Sequence, residues 1–159
     1  MPLAATLSTS EIYQAFLAPR SEGKTFFHGH TYTGNPLACA AALANLKVFR
    51  EEQTMVDLQP KIEQLTQGLA RLAENPHVGD VRQRGFMVGI ELLADRTSKK
   101  SFPPDEFIGH KVCMEARNHG LIIRNLGDVL VLMPPLSITE SEIELLVDAT
   151  EAAIQGVLG

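Results

Sequence analysis

His28, His30, Thr31, Tyr32 and Thr33 lie close together in the chain, with Gly29 and Gly34 between and after them, and Asn35 and Pro36 follow at once. Two imidazoles, three hydroxyls and a flexible backbone gathered before a helix suit a phosphate or a carboxylate. A helix start exposes N–H groups and carries partial positive charge. The same residues could instead only cap a buried helix and solvate the loop before it, and both readings fit the spacing. A His-x-His pair can also hold a metal, but no third ligand accompanies it at a recognisable spacing, so no metal site is expected.

A second candidate is Arg124, which ends the apolar run Leu121, Ile122, Ile123. A guanidinium can offer two parallel N–H donors to a carboxylate, although an arginine at a strand end is ordinarily just solvated. Arg82 and Arg84 flank the loop before Phe86 and read as solvated edge-strand residues. Met87 and Met133 read as core. Cys39 and Cys113 fall in predicted helices far apart in sequence and read as buried reduced thiols.

Several elements must position these groups. Ser8 and Glu11 stand at capping-box spacing before a short helix with Ile12, Tyr13, Phe16 and Leu17 on one face. The segment from Leu17 to Gly34 has glycines, a proline and no periodicity, which predicts a long loop. Asn35 as cap and Pro36 in the first turn open a helix to Phe49 whose early turns are apolar all round. Such a helix must be buried on nearly every side. A second amphipathic helix is predicted over residues 55–73, through Val56, Ile62, Leu65, Leu69 and Leu72.

Two strands broken near Arg84 and Gly85 follow, the second over residues 86–93, then a polar connector over 95–104. A helix over 105–119 closes on Gly120, a hairpin turns at Gly127, and a capping box of Thr139 and Glu142 starts a last helix. This order predicts an α/β chain of the α+β two-layer kind, with helices packed on a small, mostly antiparallel sheet.

The 159 residues are 45% hydrophobic and 21% charged, with a net charge of −5 and no basic run, which gives no electrostatic basis for binding nucleic acid. No apolar run approaches the roughly 20 residues of a membrane span, and no membrane partner is expected. The first residues lack the basic start and apolar core of a secretion signal, so the expected location is cytoplasmic.

The segment HGHTYTGNPLACAAALA, together with PLAATLST, VGDVRQRGFMVGIEL and GLIIRNLGDVLVLMPPLSIT, resembles class III pyridoxal-phosphate-dependent aminotransferases of the type I fold. The four segments occur in the family's order along the whole chain, and their wording is nearest to the members that aminate a keto acid in biotin synthesis. Members acting on ornithine derivatives or omega-amino acids come second, and a non-catalytic binding domain is the remaining alternative.

The resemblance implies a homodimer with the cofactor site shared across its interface and a small-molecule substrate. Thr31 would bond the phosphate of pyridoxal 5'-phosphate held by the other subunit, with His30 beside it, contributing through its backbone more than its imidazole. Gly29 would line the substrate site, and Arg124 would take the keto substrate's carboxylate.

Transamination also needs a lysine that condenses with the cofactor aldehyde and shuttles a proton. The resemblance puts that lysine just upstream of the segment matching PLAAT. Lys24, Lys47, Lys61, Lys99, Lys100 and Lys111 sit at loop or exposed helical positions, none matching it, so no residue of the chain is assigned as catalytic. The chain is therefore expected to be the C-terminal portion of such an enzyme, inactive by itself, with residues 1–45 a remnant of the large domain and 46–159 the small domain.

Overall fold

The structure, a computed structural model, describes residues 2–159. The chain divides between Gln53 and Thr54 into two compact units.

The N-terminal unit holds α1 (Ser10–Ala15), a 3-10 turn at Arg20–Glu22 and α2 (Pro36–Glu51). The cap of α1 is Thr9, whose hydroxyl accepts from Ile12 N–H at 3.3 Å, and not Ser8 as the spacing predicts. The Ser8-Thr9-Ser10 run offers three adjacent hydroxyls, and the start of the helix at Ser10 makes the middle one the cap. Asn35 caps α2 and Pro36 occupies its first turn, as expected.

The predicted burial of α2 does not hold within this chain. Ala38 is its one buried residue, while Leu37, Leu43 and Leu46 are 71%, 68% and 60% exposed. An all-round apolar helix needs cover on every side, and the N-terminal unit does not supply it.

The C-terminal unit holds α3 (Thr54–Leu72), β1 (Val78–Arg84), β2 (Met87–Leu92), α4 (Ile108–Asn118), β3 (Arg124–Leu126), β4 (Val129–Leu132) and α5 (Glu140–Leu158). The strands form one antiparallel sheet in the order β1-β2-β4-β3. Period-two alternation turns Val88, Ile90, Leu92, Leu130 and Leu132 inward, where they pack with α3, α4 and α5 into one apolar core. This is the expected two-layer arrangement.

The core face of α3 is Leu58, Leu65, Leu69 and Leu72, whereas Val56 is 63% exposed and does not belong to it. Against α5, Gly68 presents no side chain: a Cβ there would stand 2.7 Å from Val147 Cγ2. The Thr139–Glu142 capping box is complete, with the Glu142 carboxylate accepting from Thr139 N–H at 2.8 Å and Glu142 N–H donating to Thr139 Oγ1 at 3.3 Å. Gly120, at φ 78°, takes the left-handed conformation that ends α4.

The same alternation overturns the reading of two methionines as core. Met87 precedes the buried Val88 and Met133 follows the buried Leu132, so both side chains fall on the open sheet face, 55% and 67% exposed. Cys39 is half-buried in α2 and Cys113 buried in α4, both as free thiols, and burial pushes the Cys113 thiol up.

Candidate functional site

The loop before α2 folds into a tight turn. Thr33 N–H donates to His30 O at 3.0 Å and His30 N–H donates to Thr33 Oγ1 at 3.0 Å, which leaves Thr31 and Tyr32 at the two corners. Asn35 N–H then bonds Tyr32 O at 3.1 Å. Both corner side chains are exposed and make no hydrogen bond among the described residues. The rings of His28 and His30 meet edge-on, 5.1 Å between centroids, and the Phe26 ring lies tilted by 31° to that of His28 at 5.4 Å. Gly29 leaves open space where a side chain would stand.

This geometry narrows what the loop can offer an anion. Leu37 and Ala38 N–H both donate to Asn35 Oδ1, at 3.0 and 3.2 Å, Pro36 has no N–H, and Cys39 N–H already bonds Asn35 O. The amides of the first turn of α2 are engaged, so the helix start is not the donor set that the sequence suggests. His30 has both backbone groups committed to the turn, so what it can present is its imidazole and not the backbone favoured by the sequence reading. Free O–H donors remain on Thr31 and Tyr32, and neutral hydroxyls on a self-satisfied turn fit a phosphate.

In the C-terminal unit, Arg82 and Arg124 occupy one row of the open sheet face. Arg82 pairs with Gly89, Gly89 with Val131, and Val131 with Arg124. Arg82 is held by two carboxylates, Asp80 Oδ2 at 2.7 Å and Glu91 Oε2 at 3.3 Å, and those bonds raise its pKa further. Arg124 forms no hydrogen bond or ion pair among the described residues, nor does Arg84 at the end of β1.

Arg124 differs from Arg84 in its surroundings. It lines a groove of ≈ 710 Å³ with Leu121, Val131, Met133, Ile138 and Leu146, and it is the groove's one cation. Glu142, the groove's one carboxylate, is occupied with the amide and hydroxyl of Thr139, which hold its pKa below the usual value. The residue types thus describe a mostly apolar trough with one unengaged guanidinium. The sequence singles out Arg124 but not the trough, whose second wall is the segment from Pro134 to Ile138 and the start of α5. The only advance signal for that wall was the Pro134–Pro135 pair, which prevents β4 from continuing.

Lys61, on α3, is half-buried, and the other lysines are exposed. Among the described residues no three of His, Cys, Asp or Glu gather as metal ligands, and no helix is long and apolar enough to cross a membrane.

The family model described as Aminotransferase class-III matches residues 1–154. Adenosylmethionine-8-amino-7-oxononanoate aminotransferase of Nitratidesulfovibrio vulgaris is 58% identical over 157 residues, 99% of this chain and 29% of that protein. The protein of the same name from Geobacter sulfurreducens is 52% identical over 100% of this chain and 35% of its own length. The crystal structure of the Methanocaldococcus jannaschii protein of that name superposes with a TM-score of 0.90 at 47% identity, covering 96% of this chain and 35% of that one. An (S)-enantioselective omega-transaminase from Thermomicrobium roseum gives 0.80 at 39% identity, over 85% of this chain and 30% of that one. The chain thus spans about a third of the length of the relatives it matches.

Proposed function

We propose, for a chain that belongs to the class-III aminotransferase family, that it forms the C-terminal portion of an enzyme that aminates 8-amino-7-oxononanoate, also called 7-keto-8-aminopelargonate, to 7,8-diaminopelargonate for biotin. The observation that carries this reading is the unengaged Arg124 guanidinium in an apolar groove. The keto acid in the relatives' name is a carboxylate on an aliphatic chain, and a planar fork of donors beside apolar walls suits both parts.

Pyridoxal 5'-phosphate, the group this family uses, supplies the electron sink that transamination needs. In this reading Thr31 donates its hydroxyl to the cofactor phosphate, with the His30 imidazole beside it and Gly29 leaving room for substrate. Thr31 acts across the interface of a cytoplasmic homodimer, residues 1–45 belong to the large domain, and residues 46–159 form the small one.

The test is an assay of the full-length enzyme carrying this segment. The keto acid should be aminated, with adenosylmethionine and lysine each tried as donor. Arg124→Ala should lower kcat/KM for it roughly ten- to hundredfold, the range of a lost charge-assisted hydrogen bond. An Arg124→Ala enzyme as efficient as its parent overturns the assignment. Thr31→Ala should weaken cofactor binding by about 1.5 to 3 kcal/mol, and an unchanged cofactor Kd removes Thr31 from the site. A second reading, an enzyme for omega-amino acids, has the likeness to the Thermomicrobium omega-transaminase in its favour. Turnover of omega-amino substrates without amination of the keto acid would select it.

A further inference from the structure

Helix α4 begins without a cap of its own. The residue before it, Phe107, is in the left-handed conformation at φ 50°, and no side chain from its own flank bonds a first-turn amide. The missing acceptor comes from the turn of the β3–β4 hairpin, where Asp128 Oδ1 accepts from Gly109 N–H at 2.8 Å. A carboxylate at a helix N-terminus is the favourable charge for that end. Asp128 is also tied by its backbone, since its carbonyl accepts from Leu92 N–H at 2.9 Å, at the end of β2.

The approach of α4 to this turn is close enough to require a glycine. A Cβ on Gly109 would stand 2.3 Å from Gly127 O and 3.0 Å from Asp128 Cα. From the strand side, Asn125 Nδ2 donates to the same Gly127 O at 2.8 Å. Helix, turn and strand therefore meet at four residues, Gly109, Asn125, Gly127 and Asp128.

β3 has only three residues and lies at the edge of the sheet, paired on one side by β4. Arg124 is its first residue, next to Asn125. With so little ladder to fix it, the direction of that edge strand depends on what else grips it: Leu121 and Ile123 pack against the core before it, and this junction holds the turn of its hairpin after it.

Resting on the assignment of Arg124 as the carboxylate anchor, we propose that Asp128, through its bond to Gly109 N–H, is a positioning residue that sets the edge strand so that the Arg124 guanidinium meets the substrate carboxylate. Substrate specificity for the acid then depends on a side chain that does not touch substrate.

The test uses the full-length holoenzyme and the ratio of kcat/KM for 8-amino-7-oxononanoate to that for its methyl ester, which keeps the keto group and chain but lacks the anion. Asp128→Ala should lower this ratio about tenfold, because misplacing a binding group by a fraction of an ångström costs binding to that group first. Asp128→Asn keeps an oxygen acceptor and should retain most of the ratio. In an Arg124→Ala background, Asp128→Ala should change the ratio no further, the mark of two residues acting through one contact. Equal losses for acid and ester in Asp128→Ala, or a further loss in the double variant, overturn the positioning role. If Arg124→Ala alone leaves the ratio unchanged, the anchor assignment fails, and the role of Asp128 with it. If Arg124→Ala lowers the ratio and Asp128→Ala does not, the anchor stands and the positioning role is wrong.

Discussion

Leu65, Ile90, Leu132 and Ile154 are fully covered inside the C-terminal unit, whereas Leu37, Leu43 and Leu46 on α2 leave most of their surface open. The two units contain the same kinds of residue and differ in what surrounds them. Thr54–Gly159 has three helices to lay on one sheet face and closes a core from its own sequence. The N-terminal unit has one long apolar helix, one short one and loop, with Ala38 its only buried hydrophobic among the described residues. Apolar sequence therefore reports a demand for cover, and only the architecture shows whether the same chain meets it.

The contrast can be broken most directly by truncating one residue from each side. Ile90→Ala should cost about 2 to 5 kcal/mol of unfolding free energy, the usual effect of emptying a closed core. Leu43→Ala in this chain should change it by less than about 0.5 kcal/mol, as exposed positions do. Denaturant melts of both variants decide it, and a Leu43→Ala loss as large as that of Ile90→Ala ends the contrast. Open apolar surface of this kind seeks a partner, so the chain by itself should self-associate as concentration rises. Light scattering that reports a monomer throughout would show that α2 needs none.

A smaller effect sharpens the account of the closed unit. Thr139→Ala removes the side-chain half of the α5 capping box and should lower stability by about 1 kcal/mol. The smallest is its pH dependence. The bonds from Thr139 hold the folded Glu142 pKa below its ordinary 4.5, so their contribution is present above that pH and fades as pH falls through the lowered folded value. Glu142→Gln should be slightly less stable at neutral pH and lose less on acidification, read as thermal midpoint against pH. An unchanged acid slope would move the effect to other carboxylates.

Local chemistry was legible wherever one residue type can do only one thing. Asn35 followed by Pro36, the Thr139–Glu142 box, Gly120 after α4 and the turn at Gly127 all stand where the sequence put them. The cap of α1 was not, because adjacent hydroxyls leave its register open. The hydrophobicity of Met87 and Met133 points to the core, although alternation with Val88 and Leu132 already places them on the other face. The engagement of the α2 amides by Asn35 and the reach of Asp128 to Gly109 are three-dimensional facts. The first depends on a rotamer, and the second joins residues 19 apart.

Among the described residues Arg124 forms no hydrogen bond and no ion pair. Its replacement should pass unnoticed in any survey that scores variants by abundance or melting temperature. In the reading proposed above Arg124 serves chemistry alone, so the effects of its replacement on folding and on activity should part company at this one position.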